Sequence, residues 1–304
     1  MKQDVTFKSG GQTISAHLFI PDDQKADQTS PAIVTVTPAG GIKEQTSGLY
    51  AKRMCEKGFV TLAFDHRSYG ESDGEPRCNE NPFDKSEDIK NAVTFLGTVG
   101  QVDRDRIGAI GVCAGGGYVP YTAATERRIK AVATVSAVPS LRPYFMEDMG
   151  MGKEGIINML EMAGDARQAT TEGGAPVFIP MLPDEIPDEI PDAGKSFLTE
   201  ASDYYKTPRA GHPNWQNHLS LSSYEAMVSY SAFELMDMIS PHPMLFIAGT
   251  KAMTAHYSEE AYEAAEEPKE LFHIEGATHF DLYDRDPYVS QAIDKMDGFF
   301  KQNL

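Results

Sequence analysis

The stretch Ile110-Gly111-Val112-Cys113-Ala114-Gly115-Gly116-Gly117 decides the reading of this chain. It predicts a buried strand over residues 106–112 that ends in a Gly-x-Cys-x-Gly turn and opens into a helix. A nucleophile on so sharp a strand-to-helix turn sits in a strained backbone conformation. The positions two before and two after it must be small, because side chains there would collide beneath the turn. Gly111 and Gly115 meet that need. The turn also aims Cys113 at the positive end of the following helix, which favours thiolate over thiol. Without chemistry, the same residues read as a buried cysteine in a glycine-rich connection, or as a weak phosphate loop.

The far end of the chain favours the chemical reading. Residues 271–276 predict a short strand, with Gly276-Ala277-Thr278-His279-Phe280 as its exit loop and a helix over 287–300, where a proline suits the first turn. His279, between the last strand and the last helix and downstream of the cysteine turn, is the candidate general base. His273 inside the strand and His242 between prolines are poorer candidates. Acyl transfer also needs backbone N–H groups that hold a developing oxyanion. One is expected at Ala114, directly after the nucleophile. The second is expected where the apolar strand 32–37 runs into Pro38-Ala39-Gly40-Gly41-Ile42, with Gly41 first and Gly40 and Ile42 close behind.

Composition bounds the alternatives. A chain of 304 residues, 41% of them hydrophobic, can bury one large core. No apolar run is long enough to span a membrane and the first residues do not resemble a signal peptide, so a cytoplasmic protein is expected. Three cysteines without regular spacing make no disulfide framework, leaving Cys55 and Cys78 as packing or surface thiols. A net charge of −18 argues against nucleic acid and anionic membranes as partners. No His/Cys/Asp cluster has ligand spacing, so no metal or organic cofactor is expected. The expected partner is a small-molecule acyl substrate, and a homodimer is left open as the assembly.

Along the chain, residues 5–8 and 13–20 alternate around Ser9-Gly10-Gly11 and predict an antiparallel hairpin. Strands and helices then alternate: a strand at 32–37, a helix over 43–57, a strand at 60–65, and a helix capped by Ser86 that runs to about residue 95. The cysteine strand and its helix follow, then strands at 129–135, 243–248 and 271–274. This predicts an α/β fold: an eight-stranded, mostly parallel sheet with helices on both faces. Residues 141–220 interrupt the pattern, which divides the chain into a core of 1–140 and 221–304 and a cap insertion over 141–220. The insertion holds methionines at 146, 149, 151, 159 and 162 and a proline-acid run over 180–191 that cannot form a regular helix. Most of the methionines are expected to be packing, with one or two reaching substrate. Met149, Tyr204 and Tyr205 are the candidate substrate contacts.

Taken together, several motifs carry a resemblance. They are Gly41-Ile42-Lys43-Glu44-Gln45, Asp65-His66-Arg67-Ser68-Tyr69-Gly70-Glu71-Ser72, the cysteine turn, Asp203-Tyr204-Tyr205-Lys206-Thr207-Pro208-Arg209, and His279-Phe280-Asp281-Leu282-Tyr283-Asp284. The chain resembles α/β-hydrolases of the dienelactone-hydrolase-like group, a set of bacterial hydrolases similar to fungal polyketide transferases and thiohydrolases. The resemblance implies an α/β-hydrolase fold, a nucleophile at Cys113 and a base at His279, and it implies no particular substrate. It also brings Glu44 forward as a catalytic candidate, since dienelactone hydrolases use a glutamate from this region to interact with their cysteine.

The chain departs from the general fold at the triad's acid. An aspartate is expected a few residues after the glycine that ends the penultimate strand, and Gly249-Thr250-Lys251-Ala252-Met253-Thr254 offers Ala252 there. A Cys–His pair tolerates that loss better than a serine would. Glu259, Glu260, Asp281 and Asp284 are the other candidate acids. The expected function is hydrolysis or transfer of an ester- or thioester-borne acyl group through a covalent acyl-enzyme. Two alternatives stand beside it: a redox- or electrophile-reactive thiol protein, and a catalytically weak small-ligand binder on the same fold.

Overall fold

The computed structural model describes residues 1–25 and 28–304. Eight strands form one sheet in the order β1 (Lys2–Ser9), β2 (Gln12–Phe19), β4 (Val60–Phe64), β3 (Ser30–Val36), β5 (Val102–Val112), β6 (Ile129–Val135), β9 (Met244–Gly249), β10 (Lys269–Ile274). The β1–β2 and β2–β4 pairs are antiparallel and every other neighbouring pair is parallel. The β1–β2 hairpin closes through Gly10 and Gly11, both at positive φ (54° and 82°), a turn that glycine makes without strain. As expected, this is the mostly parallel sheet of an α/β-hydrolase.

Side-chain alternation in the central strands divides the core into two layers. Val34 and Val36 of β3 and Ile107 and Ala109 of β5 face α2 (Pro82–Leu96), α3 (Gly115–Thr125) and α8 (Ala255–Ala264). Ile33, Ile110 and Val112 face the opposite way, against α1 (Thr46–Cys55) and α10 (Tyr288–Asn303). A strand covered on both faces loses its polar positions, which is why β5 is buried without break from Ile107 to Val112.

Two helix starts differ from expectation. α2 begins at Pro82, capped by Asn81, whose Oδ1 accepts from the amides of Phe83 and Asp84. Ser86 lies inside the helix and its hydroxyl donates to the Pro82 carbonyl. The Asn-Pro pair carried the stronger start signal, a cap followed by a residue with φ already set. α1 begins at Thr46 rather than at residue 43, because Lys43 is drawn out of helical register. Its amide and its ammonium both donate to the Asp65 carboxylate, each at 2.7 Å.

Residues 141–220 hold α4 (Leu141–Pro143), a π-helical turn over Tyr144–Asp148, α5 (Gly152–Thr171), α6 (Asp192–Lys206) and a two-stranded antiparallel pair, β7 (Phe178–Ile179) with β8 (Leu219–Ser220). The proline-acid run over 180–191 forms turns. α7 (Ser223–Ser229) and a 3₁₀ helix (Ala232–Ile239) lead back to β9, and α9 (Asp281–Asp284) precedes α10. Among the described residues no helix is long and apolar enough to cross a membrane.

Candidate active site

β5 delivers Cys113 at the carboxyl edge of the sheet with φ +57°, a left-handed conformation that costs energy for any residue with a Cβ. The surroundings enforce it. A Cβ on Gly111 would overlap the Gly115 carbonyl, and one on Gly115 would press on the Thr37 and Val36 carbonyls. The Cys113 amide donates to the Val135 carbonyl at 3.0 Å, and its own carbonyl accepts from the amides of Gly116 (2.8 Å) and Val138 (2.9 Å). Tyr283 and the amides of Ala114 and Ala39 lie close enough to the sulfur to favour its thiolate. Burial pushes its thiol up to about 11, and the Glu80 charge adds to that push. Tyr283 and the two amides act the other way and do not overcome it. The helix terminus therefore does not yield a resting thiolate as the sequence reading expected.

The turn after β3 corrects the second amide. The Gly41 amide donates to the Pro38 carbonyl at 3.1 Å and the Ile42 amide to Gln45 Oε1 at 3.1 Å. The Gly40 amide donates to Glu80 Oε2 at 3.0 Å. All three are committed elsewhere, and Ala39 supplies the amide at the sulfur. Gly40 matters through its shape instead: it holds φ +65°, and the Met181 side chain fills the space a Cβ would take.

Sequence reasoning missed Glu80. Its fully buried carboxylate accepts from the Gly40 amide, from Tyr118 Oη at 2.6 Å and from the buried Lys85 ammonium at 2.6 and 2.8 Å. Burial alone would raise this carboxyl. The Lys85 charge and the hydrogen bonds from Lys85, Tyr118 and Gly40 hold it below its ordinary value. Glu80 directly precedes the Asn81 cap of α2, and nothing in the local sequence marks its acid as buried.

His279 leaves the loop after β10 and lies buried among Phe197, Phe280 and Tyr283. Its Nδ1 meets Thr254 Oγ1 at 2.6 Å and its Nε2 meets the Tyr283 hydroxyl at 3.2 Å. Neither ring nitrogen bonds the sulfur directly. Burial lowers the ring to about 3, so it is neutral at rest.

Cys113, Ala39, Ala114, Glu80 and Tyr283 share one cavity of about 120 Å³. Its remaining wall is apolar, built largely by Leu141, Phe145, Leu182, Phe197, Leu198 and Tyr224. Tyr205 lines it, stacked on Trp215 at 5.2 Å. Tyr204 packs one layer behind, edge-on to Tyr283 at 4.9 Å and beneath the Arg209 guanidinium at 5.3 Å. Met149 is buried against Gly194 and does not reach the cavity. The methionines that do are Met181 and Met227, neither among the five singled out from the sequence. Glu44 is also turned away, held by the Lys43 ammonium at 2.9 Å and by Asn214 Nδ2 at 3.3 Å. The same ammonium bonds Asp65 and Glu71, each at 2.7 Å, so these three carboxylates surround a lysine.

Residues 10–281 match the family described as X-Pro dipeptidyl-peptidase (S15 family). The chain belongs to that family. The uncharacterized protein YcjY of Escherichia coli (strain K12) is 38% identical over 310 residues, spanning 100% of both chains. Uncharacterized protein PA2218 of Pseudomonas aeruginosa is 38% identical across 99% of this chain and 80% of its own length. The crystal structure of PA2218 aligns over 100% of this chain and 94% of that one, with a TM-score of 0.89 at 37% identity. Polyketide transferase grgF of Penicillium sp is 26% identical over 306 residues, spanning 100% of this chain and 97% of its own. Its structure, an alpha/beta hydrolase, aligns with a TM-score of 0.83 at 24% identity over 100% and 99% of the two chains, which shows the shared fold.

In this S15-family chain the residue facing His279 Nδ1 is Thr254, two residues beyond Ala252, where the sequence placed the acid expected of a triad. The Ala252 amide instead closes the turn onto the Gly249 carbonyl at 3.0 Å. None of the other candidate acids bonds the ring. Glu259 pairs with His273, Asp281 with the Thr278 amide and Arg285, and Asp284 with Arg209, while Glu260 stays on the exposed face of α8. A hydroxyl orients the imidazole but does not stabilise its cation. Thr254→Asp is expected to raise the pKa of His279 by about 1–3 units, since an adjacent carboxylate favours the charged ring. The acid limb of kcat/KM against pH should move upward by that amount, and an unmoved limb would show that Nδ1 does not sense this position. The wild-type ring protonates near 6.5 when unfolded and near 3 when folded. It therefore withdraws stability as pH falls through that window, and Thr254→Asp should narrow the loss.

Proposed function

We propose that the protein cleaves or transfers acyl groups held as esters or thioesters, with Cys113 as nucleophile and His279 as base. The observation that carries this reading is Cys113 on its left-handed turn in the lining of an apolar cavity, with Ala114 and Ala39 beside it. A carbonyl carbon attacked by the cysteine sulfur leaves its oxygen beside their two amides, where the developing charge is met by fixed donors. His279 takes up the thiol proton and returns it to the leaving group, and water or a second nucleophile then releases the acyl chain. Because thiol and imidazole are both neutral at rest, the proton moves during attack rather than before it. Residues 141–220 act as the cap that closes the acyl site.

The cavity narrows the substrate. An apolar space near 150 Å³ holds one benzene ring, so about 120 Å³ fits a short acyl chain or a single small ring. The polyketide transferase among the relatives is in keeping with an acyl-transfer reading. A redox-sensing role is less well supported, because such chemistry requires thiolate and burial opposes it here.

Acyl-enzyme trapping tests the reading. The protein is mixed in excess with p-nitrophenyl butyrate or a butyryl thioester, quenched in acid and digested. A butyryl mass increment on the Cys113 peptide is expected, formed at the rate of the nitrophenolate burst. Turnover without acyl on Cys113 would remove the nucleophile assignment.

A further inference from the structure

Tyr283 lines the cavity with Cys113, close enough that each shifts the other's proton affinity, and its hydroxyl lies 3.2 Å from Nε2 of the buried His279. Its ring cannot swing aside freely. The Tyr283 carbonyl accepts from Thr46 Oγ1 at 3.0 Å, and the preceding Leu282 carbonyl accepts from Tyr50 Oη at 2.6 Å, which ties α9 to α1. Phe280 packs against the ring with centroids 4.6 Å apart and Tyr204 at 4.9 Å. Tyr205 lines the cavity beside it.

We propose that Tyr283 is a catalytic proton relay that carries the thiol proton of Cys113 to Nε2 of His279 as the sulfur attacks. This rests on the reading of Cys113 as nucleophile. The step balances within three groups. The S–H bond breaks as a new Oη–H bond forms, while the original Oη–H bond breaks as Nε2–H forms. The sulfur's electron pair goes to the carbonyl carbon, Tyr283 ends as the neutral phenol it began as, and His279 becomes imidazolium. The reverse shuttle protonates the leaving thiolate or alkoxide.

The polarity of the hydrogen bonds allows this. A neutral imidazole has one N–H, and with that proton on Nδ1 facing Thr254, Nε2 accepts from Tyr283. The phenol oxygen retains lone pairs for the thiol. Burial and the neighbouring Cys113 push the phenol well above its ordinary value, so Tyr283 passes a proton without resting as phenolate.

The test compares Tyr283→Phe, His279→Ala, the double variant and Cys113→Ala on an activated ester, with kcat and KM resolved across pH and in deuterated water. Tyr283→Phe keeps the ring's volume and is expected to lose about 10²–10³-fold in kcat with KM little changed. The double variant should be no slower than His279→Ala, since links of one relay act as a unit. The proton inventory of the wild type should curve, reporting two protons in flight. Tyr283→Phe within about threefold of wild type, or losses that multiply in the double variant, would overturn the relay. If Cys113→Ala is dead while Tyr283→Phe is active, only the relay falls; if Cys113→Ala is active, the nucleophile falls with it. Should Tyr283→Phe fail to fold, 3-fluorotyrosine at position 283 retains the hydroxyl. A rate insensitive to that more acidic phenol would also reject the relay.

Discussion

Cys113→Ala is expected to lower kcat/KM on an activated ester by about 10⁴-fold or more while leaving the fold intact. The magnitude follows from removing the atom that forms the covalent bond, which leaves only the binding and oxyanion contributions. The fold should survive because the change removes sulfur and nothing else. Alanine keeps the Cβ, so the cost of φ +57° is already present in the wild type. The backbone bonds that fix the turn, from Cys113 to Val135 and from Val138 back to Cys113, involve no side chain. Ala114 and Ala39 still line the cavity, where water can accept from their amides. Circular dichroism and the midpoint of thermal unfolding should match the wild type. A well-folded variant retaining a tenth of the wild-type rate would place the nucleophile elsewhere.

The parts of the site that were legible in the sequence are those fixed by backbone geometry. The glycine spacing about Cys113 reflects overlaps that any side chain at positions 111 or 115 would create, so the turn can be read from composition alone. His279 follows from chain order, being the residue that the last parallel strand delivers to the carboxyl edge. The parts that were not legible depend on which hydrogen-bond partner wins. Gly40, Gly41 and Ile42 all looked available as donors, but a carboxylate from residue 80, a local carbonyl and a local glutamine claim them. Thr254 was invisible for a related reason. A neutral hydroxyl two residues past the expected position carries no charge signature, and only the path of the loop after β9 brings it to the imidazole.

The sheet was legible because β-branched apolar runs flanked by glycine and proline hardly fit another element, and β3, β4, β6 and β9 sit within a residue or two of expectation. The insertion was legible only as an interruption. Its proline-acid run excludes a helix, but which methionine faces the cavity depends on how that run crosses the site. Met181 lies inside it and packs on Gly40, whereas Met149 follows the π-helical turn and points to Gly194.

Glu80→Gln should destabilise the fold by about 3–5 kcal/mol, because it leaves the Lys85 ammonium buried without its counter-charge. At roughly 2 °C per kcal/mol for a chain of this size, thermal unfolding should fall by about 6–10 °C. The folded Glu80 carboxyl is held below its ordinary 4.5, so its contribution is present above that value and is lost as pH falls through the folded one. The gap between wild type and variant should therefore close in acid. Activity should respond through two opposed effects. Losing a nearby negative charge makes the Cys113 thiol more acidic, which favours attack. Losing the carboxylate that fixes the Gly40 amide frees the turn carrying Ala39, which weakens the oxyanion site. The second effect should prevail, since an amide displaced from the developing charge costs about 10²-fold or more in rate. The double variant Glu80→Gln/Lys85→Met separates the two roles, because it removes the stranded charge and replaces its stem with an apolar one. If Glu80 positions the turn, the double variant regains most of the thermal stability but not kcat. Recovery of both together would mean that Glu80 serves only to neutralise Lys85.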